Sequence, residues 1–122
     1  VTTQPPAPRP GSLSLSTRWT EPDVVVLSVA GDLDMLTSPQ LAESLRELLD
    51  HRPRTVVVDL SKVDFLGSAG LAVLVTAHER IESRESLRIV ASARETQRAF
   101  SMTGLDELLD LYPTCEAALA DG

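Results

Sequence analysis

Ser68 has the setting in this chain where chemistry is most readily placed. It stands between Gly67 and Gly70, after the apolar run Thr55 to Leu60 and ahead of a helical segment from Leu71 to Arg84. A helix N-terminus presents unpaired N–H groups and the positive end of the helix dipole. A hydroxyl there can cap the helix, act as a nucleophile or accept a phosphate. The histidines that could serve it as a base are His51 and His78.

The stretch fails the patterns of two phosphate-binding loops. A P-loop needs G-x-x-x-x-G-K-[ST] and a dinucleotide fingerprint needs G-x-G-x-x-G. Gly67 and Gly70, with no lysine behind them, supply a fragment of either. The nucleophile elbow G-x-S-x-G is nearer, but Leu66 stands where its first glycine belongs, and Leu60 is the expected strand end, well short of Ser68. His78 is on the order of 15 Å along the same helix at 1.5 Å per residue. His51 falls at the far end of another helix. Serine catalysis needs its base within about 3 Å, so a hydrolase is excluded, as is enzymatic activity resting on this serine. Cap and phosphoacceptor remain, and one serine can be both.

The composition narrows the partners. At 122 residues with 43% apolar content the chain suits one soluble globular domain. A net charge of −7 argues against nucleic acid or an anionic membrane, and four aromatics (Trp19, Phe65, Phe100, Tyr112) are too few for a base-stacking platform. One cysteine excludes an internal disulfide and a cysteine metal site, and the histidines have no cluster to join. No metal or other cofactor is expected. With no apolar run near the roughly 20 residues of a membrane span and no signal-like start, a cytoplasmic location is expected.

The elements that must position Ser68 follow from periodicity. Residues 1–11, with four prolines, read as a disordered tail, and residues 12–122 as the folded domain. Leu13 to Trp19 alternates with period two, Glu21-Pro22-Asp23 turns, and Val24 to Ala30 is apolar throughout, which together predict an edge hairpin. Thr37 or Ser38 is the expected cap of a first helix, with Pro39 in its first turn and Gln40 as a capping-box partner. Leu41, Leu45, Leu48 and Leu49 form its single apolar stripe. Thr55 to Leu60 reads as a buried strand. The next helix is apolar nearly all round until Glu79, as burial on two sides or an apolar patch facing a partner would require. Leu87 to Ala91 is a further strand, and Ser92 to Glu95 suggests a capping box for a third helix to about Met102, stopped by Gly104. Leu108 to Tyr112 is a last strand, and Pro113-Thr114 opens a helix to about Ala120. The sum is an α/β sandwich: a mixed, mostly parallel sheet with an N-terminal edge hairpin and about four helices packed on it.

Four short motifs in order carry a resemblance. These are Gly31-Asp32-Leu33-Asp34, then Val57-Val58-Asp59-Leu60-Ser61 with Val63-Asp64-Phe65, then Gly67-Ser68-Ala69-Gly70-Leu71, and Met102-Thr103-Gly104-Leu105. They resemble the G-[ED]-L-D, pre-loop, D-S-[ST]-G-L and M-[ST]-G-L motifs of STAS-family anti-sigma-factor antagonists, from about Leu13 to Ala120. The resemblance implies a protein that binds an anti-sigma factor with ATP-dependent serine kinase activity and so frees a sigma factor. Phosphorylation at Ser68 would end that complex and a serine phosphatase would restore it. It also places Asp34 beside the acceptor and implies a partner surface of Asp34, Leu66, Gly67, Ser68, Gly70, Leu71 and Leu74. The motif's aspartate and second hydroxyl are here Gly67 and Ala69, leaving Ser68 the one hydroxyl of the loop. The same fold serves as a non-switching scaffold or transporter-associated module, in which Ser68 would be only a helix cap.

Overall fold

The computed structural model describes residues 12–120; the proline-rich tail expected at residues 1–11 lies outside the described residues. The elements run β1 (Leu13–Glu21), β2 (Val24–Leu33), α1 (Ser38–Asp50), β3 (Thr55–Leu66), α2 (Ser68–Arg80), β4 (Ser86–Val90), α3 (Arg94–Met102), a 3-10 turn (Leu105–Glu107), β5 (Asp110–Tyr112) and α4 (Cys115–Ala120). One sheet contains all five strands in the order β1-β2-β3-β4-β5. The β1–β2 pair is antiparallel and every other pair parallel, so the expected edge hairpin on a mostly parallel sheet is the observed architecture.

The continuous apolar runs of β2 and β3 exist because both faces of the sheet are covered. Val25, Leu27, Val29, Val56, Val58 and Ile89 point into one core with the leucine stripe of α1, Leu71 and Leu74 of α2, and Phe100 of α3. The alternate residues Val26, Val57 and Val90 meet Ala118 of α4 on the other face. The stripe Leu41, Leu45, Leu48 and Leu49 is buried as its spacing requires. On the outside, Arg80 of α2 pairs with Asp50 of α1, and Arg46 pairs with Glu43 and, at 3.6 Å, with Asp50.

Two boundaries move in ways that matter for the site. β2 continues through Gly31 and Asp32 to Leu33, and β3 runs through to Leu66, because the two strands keep pairing past the expected ends: Gly31 faces Val63, Asp32 faces Phe65 and Leu33 faces Leu66. Gly31 is required here. Its φ of +110° suits glycine, and a Cβ would stand 2.2 Å from the Ser12 carbonyl oxygen. α2 begins earlier than expected, at Ser68, and ends at Arg80, with Ile81 already extended.

The expected caps are replaced by other devices. Neither α1 nor α3 shows a side-chain cap hydrogen bond, and α3 is preceded by Ala93 in the cap position, not Ser92. The Thr37 hydroxyl instead donates to the Asp32 carbonyl oxygen at 2.6 Å, drawn back to the strand end by the turn before α1. Gly104 does end α3, in the left-handed region at φ +74°.

Candidate functional site

The site is built at the C-terminal ends of β2 and β3. Only Gly67 separates the end of β3 from the first residue of α2, so the serine sits on a sharp strand-to-helix turn and not at the end of a long loop. The turn is tied to the neighbouring strand by the Gly67 N–H, which donates to the Leu33 carbonyl oxygen at 2.9 Å. Gly70 lets the first turn of α2 press onto the strand ends, where a Cβ would stand 2.9 Å from both Leu33 Cβ and Leu66 Cδ1.

Ser68 is not a cap. Gly67 occupies the N-cap position, with no side-chain cap hydrogen bond, and Ser68 is the first helical residue. Its side chain is exposed, and its hydroxyl makes no hydrogen bond among the described residues. No acidic residue lies in the first turn of α2 itself. The short turn is closer to an elbow than the sequence implied, yet neither histidine reaches the serine. His51 follows α1 and meets the Trp19 ring edge-on, ring centroids 6.2 Å apart, while His78 is in the last turn of α2.

Asp34 sits beside this turn, where the backbone leaves β2. Its Oδ1 accepts from the Leu36 N–H at 2.9 Å, the Thr37 N–H at 2.9 Å and the Thr37 hydroxyl at 3.1 Å. The Thr37 N–H chiefly holds the carboxyl below its ordinary range. Partial burial opposes this, and the Thr37 hydroxyl and Leu36 N–H add to the lowering. The aspartate thus closes its own turn, and that turn displays Met35 and Leu36 almost fully to solvent, at 83% and 85% exposure.

The seven residues expected at a partner surface divide. Asp34, Leu66, Gly67 and Ser68 lie at least partly at the surface. Gly70, Leu71 and Leu74 do not. Gly70 is the packing contact described above, and Leu71 and Leu74 point into the main core, Leu74 with no exposure at all. α2 is thus buried along one face, through Gly70, Leu71, Leu74 and Ala77, while Ala72 is exposed and Ala69, Val73 and Val75 are half-buried, so the rest of its apolar surface stays open. In place of Gly70, Leu71 and Leu74 the structure exposes Met35, Leu36 and Phe65, the last at 54%. A signal for the first two was present: an apolar pair ahead of Pro39, off the Leu41-to-Leu49 stripe, inside no periodic element.

Among the described residues no group of acidic, histidine or cysteine side chains could hold a metal, and no helix is long and apolar enough to cross a membrane. Cys115 is half-buried, its thiol pushed up by burial and, less, by Asp59.

Known proteins resemble this chain in sequence and fold. The STAS domain pattern matches residues 19–118. The anti-sigma-F factor antagonist RsfB of Mycobacterium tuberculosis is 38% identical over 96 residues, 79% of each chain. The crystal structure of an anti-sigma factor antagonist from Mycobacterium paratuberculosis superposes with a TM-score of 0.87 at 36% identity, covering 92% of this chain and 95% of that one. SpoIIAA of Bacillus in its phosphorylated form shares the fold, with a TM-score of 0.66 at 16% identity over 87% of this chain and 96% of that one. The pattern match, the identity and the shared fold agree: the chain belongs to the STAS-domain family of anti-sigma factor antagonists.

Proposed function

We propose that this protein binds an anti-sigma factor that is also an ATP-dependent serine kinase, thereby freeing a sigma factor in the cytoplasm, and that phosphorylation of Ser68 switches the binding off. The observation that carries this reading is the Ser68 hydroxyl: exposed, unbonded, and first in a helix whose opening turn has no acid. SpoIIAA, of the same fold, is known in a phosphorylated form, which supports the existence of such a modification in this architecture.

In the transfer, the Ser68 Oγ would attack the γ-phosphorus of ATP. The bond from that phosphorus to the β,γ-bridging oxygen breaks, ADP leaves, and the serine proton passes to a base of the kinase, since neither histidine of this chain reaches the hydroxyl. The product gains about 1.5 to 2 negative charges. The α2 N-terminus tolerates them through its free N–H groups and dipole, so the fold persists. An interface does not tolerate them in the same way. A hydrated dianion next to the exposed Phe65 side chain and the Met35–Leu36 turn would have to be desolvated without a partner, costing several kcal/mol, where about 1.4 kcal/mol is tenfold in affinity. A serine phosphatase returns the protein to its binding form.

Purified protein incubated with the kinase and ATP should gain one phosphate at Ser68 and lose its hold on the kinase. Ser68→Ala should bind and stay unmodified, and Ser68→Asp should bind weakly. Phosphate incorporated into Ser68→Ala would sink the assignment. Unchanged mass and unchanged binding of the wild type after that incubation would favour a non-switching scaffold.

A further inference from the structure

We propose that Met35 and Leu36, held out by Asp34 and joined by Phe65, are the apolar anchor by which this protein grips its anti-sigma factor, and that Asp34 acts there as a positioning residue, not as a contacting charge. This rests on the function proposed above and names the surface that would perform it.

The exposure is not accidental looseness. A turn tip with two large apolar side chains more than four-fifths exposed is costly to keep in water unless something covers it. This tip is also stiff: the Leu36 and Thr37 N–H groups both donate to Asp34 Oδ1, and the Thr37 hydroxyl accepts from the Asp34 N–H at 3.0 Å while sharing its one proton between the Asp32 carbonyl oxygen and Asp34 Oδ1. Side chains on a preordered turn lose less freedom on binding than those on a mobile loop, which makes such a turn a good anchor.

The anchor is continuous with the acceptor. The Met35–Leu36 turn leaves β2 at Leu33, whose carbonyl oxygen receives the Gly67 N–H. Phe65, paired across the sheet with Asp32, places its ring edge close enough to Gly67 for a Cβ there to stand 3.0 Å from Cε2. Ser68 is the next residue. The Leu33–Gly67 hydrogen bond therefore joins the anchor turn to the turn that presents the acceptor.

Charge selects the occupant. Between Gly31 and Leu45, and between Val63 and Glu79, the chain has aspartates and glutamates but no lysine or arginine. Two copies of such a face repel each other, and an anionic membrane is repelled likewise. The face suits a protein with an apolar socket bordered by neutral or basic groups. In that setting Asp34 has its Oδ1 already engaged within its own turn, so its contribution comes through the geometry of residues 35 and 36.

The test uses the purified anti-sigma kinase that phosphorylates the wild-type chain. Met35→Ser/Leu36→Ser should leave thermal stability unchanged and weaken binding on the order of tenfold or more, with Phe65→Ser acting in the same direction. Asp34→Asn keeps an oxygen acceptor and should bind within about threefold of wild type, whereas Asp34→Ala frees the turn and should resemble the double variant. Amide hydrogen exchange at Leu36 and Thr37 should quicken in Asp34→Ala and not in Asp34→Asn. Full binding by Met35→Ser/Leu36→Ser would overturn the anchor, and equal loss in Asp34→Asn and Asp34→Ala would overturn the positioning role. Self-association abolished by the double variant would assign the face to a second copy instead. A wild-type chain that neither binds nor is modified by any anti-sigma kinase would remove the functional reading itself, and this proposal with it.

Discussion

Phe65 lies against Gly67: any side chain at position 67 would place its Cβ 3.0 Å from Cε2 and 3.2 Å from Cζ of that ring, and 3.3 Å from the Leu33 carbonyl oxygen. The space that an aspartate would use in the D-S-[ST]-G-L motif is thus partly filled by an aromatic ring.

Gly67→Asp should fold, because the clashing atoms are the free edge of a half-exposed ring that can swing aside. Its stability should fall by less than about 1 kcal/mol, as for surface changes without a buried clash. In the phosphorylated protein, the added carboxylate should raise the second ionisation of phosphoserine by on the order of half a unit at low salt. A phosphorus NMR titration of both proteins checks this, and equal values would show that the two groups do not face each other.

Leu74→Ala should cost about 2 to 5 kcal/mol in urea unfolding, since it opens a cavity at a fully buried position. The binding of whatever remains folded should be normal. That contrasts with Met35→Ser/Leu36→Ser, which should lose binding and keep stability.

Gly31→Ala should destabilise more than Gly104→Ala. Both glycines have positive φ, but an added methyl at 31 strikes the Ser12 carbonyl oxygen, while nothing lies within 4 Å of the same methyl at 104. The second change should cost about 1 to 2 kcal/mol from backbone conformation alone. Comparable melting temperatures for the two variants would contradict the β1–β2 geometry.

Acid should weaken the Asp34 turn. The folded carboxyl titrates below its ordinary range, chiefly because of the Thr37 N–H, so its contribution is present above the unfolded value of about 3.9. It is lost as pH falls through the lowered folded value. Asp34→Asn does not titrate, so any stability gap between it and the wild type should be widest near pH 6 and narrow toward pH 3. A gap that is constant with pH would mean that the charge adds nothing to the turn.

Much of this protein could be read from order and period in the chain. The leucine stripe of α1, the apolar runs of β2 and β3 and the stop at Gly104 specify local structure through side-chain spacing and backbone sterics, which neighbouring residues settle by themselves. The motif order pointed to Ser68. What the chain alone did not decide was exposure. Leu71 and Leu74 look identical in sequence whether they face a partner or the core, and only the docking of α2 over the sheet buries them. The lengths of β2 and β3 depended on continued pairing between strands far apart in the chain, and that pairing moved Ser68 to the first residue of its helix. The exposure of Met35, Leu36 and Phe65 and the hydrogen bonds made by Asp34 likewise come from contacts across two turns. Local periodicity therefore identified the elements, and motif order singled out Ser68, while long-range packing and hydrogen bonding determined which side chains are left exposed around it.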